Sequence, residues 1–178
     1  MTSFQAVHDE DAINDAIRRM LAAGGHARLA QMARHWQSLR PPMTGEGGRL
    51  PARRHFDPVA IQRLMPAAFL ADVERQPLLR FRCRLIGTKI ARLFPKDPTG
   101  AYADVIMPGI EGTVLGVALA SVVETGLPNH GGGPVVLIPG KDHLKIERLL
   151  LPLADDGRTV DMILGVVVLT YENGRELV

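Results

Sequence analysis

Cysteine is almost absent: the 178 residues contain one, Cys83. That excludes an intrachain disulfide framework and any multi-cysteine metal site. It suits a reducing compartment, so a cytoplasmic setting is expected. Long apolar runs are missing too; none reaches the ~20 residues of a membrane span. The opening stretch MTSFQAVHDEDAIND is polar and acidic, so no secretory leader is expected. Aromatic residues make up only 4%, which leaves Leu, Val, Ile, Ala and Met to build the core. Neither sign of charge dominates: 21 Lys and Arg against 19 Asp and Glu leave a formal net charge of +2. A nucleic-acid binder shows a dense basic face, so no nucleic-acid role is expected.

What is present is a hydrophobic fraction of 46% on a length that suits one domain, with a helical segment added in front. Residues 9 to 23 read as an amphipathic helix. Asp9, Glu10 and Asp11 sit at its start and Arg18 and Arg19 near its end, as the helix dipole favours. Ile13, Ile17, Met20 and Leu21 share one face, and Gly24-Gly25 stops it. A second helix, 26 to 39, carries Leu29, Met32, Trp36 and Leu39, and Pro41-Pro42 ends it. The Gly- and Pro-rich PPMTGEGGRLPARR is a loop, and FDPVAIQRLMP reads as a short helix capped by Asp57. The expected partition is a helical segment 1–40, a linker 41–66 and a domain 67–172.

The texture then changes to strands. Phe69 to Glu74 and Leu79 to Ile86 form a hairpin around Arg75-Gln76-Pro77. Antiparallel pairing sets Asp72 and Glu74 against Arg80, Arg82 and Arg84, and sets the apolar residues together. A short helix from Lys89 to Phe94 is capped by Thr88. Residues 101 to 110 hold at most one helical turn. A long helix runs from Glu111 to the stop at Gly126. NHGGGPVV lacks a P-loop lysine and reads as a mobile loop before a strand at Val135 to Ile138. The last two strands, His143 to Leu153 and Val160 to Tyr171, flank a turn centred on Asp156-Gly157. From Met162 to Leu169 the last strand has no polar residue, so both of its faces need cover. The two N-terminal helices, or a second copy of the chain, are the available covers.

Two strands, a helical crossing and three strands is the order of a PAS domain. FLADVE with RFRCRLIGT, then IARLFPKDPTG, then LPLADDGRTVDMILG resemble that family, and specifically its small single-domain members found mainly in alphaproteobacteria. The likeness covers about residues 36 to 170. Pro95 and Pro98 depart from it and stiffen that connection. The resemblance implies an α+β fold: a five-stranded antiparallel sheet with helices on one face and the N-terminal helices covering the other. It also implies a cavity lined by Phe81, Cys83 and Leu85 of the first hairpin, by Tyr102, and by Leu115 and Leu119 of the long helix. Arg148, Leu150, Ile163, Gly165 and Val167 of the last strands complete the candidate ligand-binding set. Gly165 suits close approach of a helix or ligand.

The implied function is a sensor or signalling module without a catalytic residue. It would bind a small molecule, a protein partner or both, regulate a bacterial pathway, and form a homodimer. The cofactor stays open. Haem is disfavoured because the long helix has no His, and photoactive flavin because Cys83 lies on a strand rather than in the short-helix region. None of the six histidines has metal-site spacing; His130 and His143 flank adjacent strands. Arg148 is the sharpest oddity. If it points inward it must be paired, and it can then hold a carboxylate or phosphate of a ligand; if the parity is reversed, Glu147 is the inward residue. Two other classes remain: an isomerase or hydrolase using Asp161 with His143 or Tyr102, and a scaffold whose cavity is filled by its own side chains.

Overall fold

The computed structural model describes residues 10–22, 24–41, 50–136 and 138–177. Expectations that fall on 1–9 and 42–49, including Asp9 and most of the Gly-rich loop, lie outside the described residues. Helix α1 (Glu10–Ala22) buries Ile13, Ile17 and Met20, while Leu21 is exposed, so its apolar stripe is narrower than the pattern implied. Helix α2 (Ala27–Ser38) starts at His26, whose Nδ1 accepts from the Arg28 amide at 3.2 Å. Leu29, Met32, Ala33 and Trp36 are buried along α2. The segment from Leu50 to Ala67 forms no α-helix. It runs as turns with two short 3-10 pieces, Arg53–His55 and Met65–Ala67. Asp57 accepts from the Val59 amide at 2.9 Å, so it closes a turn and caps no helix. The segment's amides close i→i+3 turns instead, Ala60 donating to the Asp57 carbonyl at 3.2 Å and Leu64 to the Ile61 carbonyl at 2.8 Å.

Five strands follow in the sheet order β2-β1-β5-β4-β3, every neighbouring pair antiparallel. They are β1 (Ala68–Glu74), β2 (Arg80–Ile86), β3 (Asn129–Pro134), β4 (Leu144–Leu153) and β5 (Met162–Tyr171). Between β2 and β3 lie α3 (Thr88–Ala91), α4 (Ala103–Ile106) and α5 (Val114–Thr125). The N-cap of α3 is Gly87, not Thr88. Helix α5 begins three residues later than the pattern suggested, because Thr113 caps it, its Oγ1 accepting from the Gly116 amide at 3.2 Å. Gly126 ends it in the left-handed region, φ 66°.

The position of β5 explains its composition. It is the central strand, paired with β1 on one side and β4 on the other, and all of Met162 to Leu169 is buried. Leu164 lies in one buried cluster with Phe56, Ile61 and Leu153 on the outer face, while Val167 faces the layer of α3 to α5. Helix α2 contacts β4 and β5, and the Trp36 Nε1–H donates to the Pro152 carbonyl at 2.9 Å. One buried cluster joins Ile13 and Trp36 to the residues of β4 and β5. The outer face is therefore closed within a single chain, and the expectation of a homodimer loses the uncovered face on which it rested.

The third strand differs from expectation. NHGGGP forms β3 itself, and Val135, Val136 and Ile138 follow it. Each residue from Asn129 to Pro134 pairs with one of β4. Side chains are what the middle of this strand has no room for: a Cβ on Gly132 would meet the Ile146 carbonyl oxygen at 2.6 Å. Glycine here serves close backbone approach rather than mobility.

Candidate functional site

The first hairpin provides one wall. Asp72 pairs with Arg82 and Glu74 with Arg80, which turns Ala71, Val73, Phe81 and Cys83 to the opposite face. A register shift at Leu70/Ala71 leaves Arg84 as an extra residue in β2, so Leu70 opposes Leu85 and Phe69 opposes Ile86. Phe69, Ala71, Phe81, Cys83 and Ile86 thus look inward, joined by Ile146, Arg148 and Val167 from the central strands. The roof is apolar: Ile90 and Leu93 near α3, Ala103 and Ile106 of α4, and Val114, Leu115 and Leu119 of α5. Together they bound a cavity of about 280 Å³. Cavities of ~150 Å³ with such linings stay dry and admit benzene. Val114 and Val136 are 73% and 67% exposed and also line it, so the opening lies between the start of α5 and the end of β3.

Of the residues singled out in the sequence, Phe81, Cys83, Leu115, Leu119, Arg148 and Val167 are on this wall. Leu85 is not: the bulge turns it to the outer face, beside Leu70 and Leu164. Tyr102 is not on the wall either. It bridges to Arg82 at the free edge of β2, its hydroxyl donates to Glu74 at 2.8 Å, and the Arg80 guanidinium lies 3.7 Å from its ring centre. Leu150 and Ile163 have the inward parity but are fully buried among the core residues. Gly165 also faces inward, and the close approach there is by neither helix nor ligand. The Phe69 ring of the adjacent strand occupies the place where a Cβ would stand. Phe69 and Ala71 line the cavity as well, outside the set expected from the sequence. Ala71 opposes Cys83, which was the available signal, whereas Phe69 opposes Ile86 only because of the bulge.

Cys83 is a wall residue, and burial pushes its thiol up to about 11 from 9.0. At pH 8 that leaves about a hundredfold less thiolate than an unperturbed cysteine, and the thiolate is the nucleophile. Alkylation by iodoacetamide at pH 8 should be slower than for a free thiol by at least about that factor. It should quicken steeply only as the pH approaches 11. A thiol that reacts at the free-cysteine rate in the folded chain would contradict this placement.

Arg148 and Glu147 part at the sheet. Glu147 faces outward, where its Oε1 accepts from the His26 amide at 2.9 Å and lies 2.8 Å from His130 Nε2. Arg148 faces the cavity and is only 4% exposed. Its Nη2 donates to the Val114 carbonyl at 3.3 Å, and its Nε is buried without a partner. Burial holds its pKa below the usual arginine value.

Of the residues weighed for an enzyme, His143 and Asp161 do not meet. His143 stacks on Tyr171, ring centres 6.0 Å apart, while Asp161 accepts from the Asp155 amide at 2.7 Å beside the other end of the same strands. Strands of this length separate the two by roughly 30 Å. Burial, with the Asp155 and Asp156 charges, holds the Asp161 carboxyl above its usual range. His130 and His143 are likewise apart, each with its own partner. Among the described residues no three His, Cys, Asp or Glu side chains converge as metal ligands, and no helix is long and apolar enough to cross a membrane.

A family model described as a PAS domain matches residues 25–168. The match takes in α2 as well as the sheet. A comparison with curated proteins found no match.

Proposed function

The chain belongs to the PAS domain family, and on that premise we propose that it is a sensory or signalling module with no catalytic step of its own. It binds a small, largely apolar molecule between the sheet and α3 to α5, and passes the state of that site to a protein partner in a bacterial regulatory pathway. The observation that carries this reading is the cavity of about 280 Å³, whose described lining has only Cys83, Thr113 and Arg148 as side chains bearing a hydroxyl, thiol or charge. A nucleophile and base within reach of each other are missing from that wall.

The route outward is short. Val167 touches the cavity, while its neighbours Val166 and Val168 belong to the core that includes α2. An occupant that favours one packing of β5 biases the seating of α2 by its difference in affinity for the two packings. Signalling then needs only a shift in population.

Native mass spectrometry of the purified full chain, set against its denatured mass, tests the binding claim. An excess mass that disappears on denaturation is expected. A chain without excess mass that also takes up none of a set of small apolar compounds would sink the reading.

A further inference from the structure

Resting on the cavity being a binding site, we infer that its occupant is an organic monoanion: one carboxylate seated on Arg148, carried by an apolar body. The guanidinium is the reason. It is 4% exposed, its one hydrogen bond is the 3.3 Å contact to the Val114 carbonyl, and its Nε has no partner. Among the described residues it makes no ion pair; the adjacent carboxylate, Glu147, is turned to the other face of the sheet. A guanidinium does not shed its proton, and an unpaired buried charge is costly. A planar fork with free donors matches a carboxylate.

The sheet is built around this side chain. Gly131 pairs with Arg148, and a Cβ there would lie 2.7 Å from Nη1. The glycine run that looked like a loop leaves space for the guanidinium at the cavity wall.

The charge of the occupant follows from the same census. Arg148 is the single charged residue on the described lining. The Thr113 hydroxyl is already used, donating to the Ile110 carbonyl at 2.7 Å and accepting from the Gly116 amide at 3.2 Å. One guanidinium neutralises one carboxylate; a phosphate dianion would leave a buried excess charge. The size follows from the volume: scaling from benzene in ~150 Å³ gives about eleven heavy atoms.

Calorimetric titration of the full chain decides it, with decanoate and 4-phenylbutyrate as probes. Decanol, 4-phenylbutanol and decyl phosphate serve as matched comparisons. Each acid should bind at least about tenfold more tightly than its alcohol, as a hydrogen bond to a charged group implies. In Arg148→Met that advantage should vanish while the alcohol keeps its affinity. Alcohol binding that equals acid binding in the natural chain overturns the inference and leaves the binding site standing. So does an unchanged acid affinity in Arg148→Met. Tighter binding of decyl phosphate than of decanoate overturns the single charge. If neither acid nor alcohol binds, the binding-site reading falls as well. Should Arg148→Met fail to fold by circular dichroism, Gly131→Ala replaces it. Crowding the guanidinium must then weaken the acid and spare the alcohol, or the inference fails.

Discussion

Trp36→Ala should cost the fold about 4 kcal/mol, the usual range for emptying a large buried aromatic site being ~3–5 kcal/mol. Trp36 is fully buried, and it holds α2 to β4 through the 2.9 Å hydrogen bond from its Nε1–H to the Pro152 carbonyl. Truncation leaves a cavity between helix and sheet and strips that carbonyl of its side-chain partner. Urea unfolding followed by circular dichroism gives the value; the only tryptophan is removed, so fluorescence does not serve. Trp36→Phe keeps most of the volume and loses the hydrogen bond, so it should fall well short of the alanine loss. A loss below about 1 kcal/mol for Trp36→Ala would mean that α2 is not seated as described. It would also remove α2 as the element that reads β5.

Gly116→Ala is the second large effect, and its sign is the informative part. In an exposed helix, alanine gains about 1 kcal/mol over glycine. Here the opposite is expected, a loss of about 3 kcal/mol, within the usual cost of forced overpacking. Gly116 lies in the first turn of α5, where an added Cβ would run into the Ile110 carbonyl oxygen. It would also stand 2.8 Å from that carbonyl carbon and 2.9 Å from the Glu111 Cα. These are backbone atoms of the 3-10 turn Ile110–Gly112, so no side-chain rotation relieves them. The turn must move away from α5, and Ile110, Thr113 and Val114 at the cavity would move with it. A thermal melt with a raised midpoint would show that propensity outweighs this contact.

The two substitutions probe opposite faces of β5. Trp36 secures the outer cover, and Gly116 sets the roof of the cavity. Seating a carboxylate on Arg148 needs the second face, the proposed signal route needs both, and the measured losses separate them.

Much of this architecture is written in local pattern. The apolar spacing of Ile13, Ile17 and Met20, and of Leu29, Met32 and Trp36, follows the helical repeat, and both helices form. The acids and arginines of the first hairpin alternate with period two, and the register pairs Asp72 with Arg82 and Glu74 with Arg80. Asp156-Gly157 closes the last turn: Asp156 accepts from two amides at 2.7 Å, and Gly157 takes φ 74°. Each depends on residues a few positions apart, so local pattern is enough to specify them. An arginine in an apolar strand was equally legible as an anomaly.

Tertiary structure decided the rest, because the deciding contacts join distant residues. Parity counting holds only while a strand is regular; one extra residue in β2 sends Leu85 to the outer face and Ile86 inward. Glycines read as a loop until a partner strand supplies their hydrogen bonds and Arg148 requires their missing side chains. The polarity of β5 implied two covered faces, but its central place between β1 and β4 depends on strand order, which no local period encodes. The cover on its outer face proved to be the chain's own α2 and the turns around Phe56 and Ile61. The cavity is the extreme case, a volume left where the inner sheet face and the layer of α3 to α5 fail to meet, around a guanidinium that local sequence could only mark as out of place.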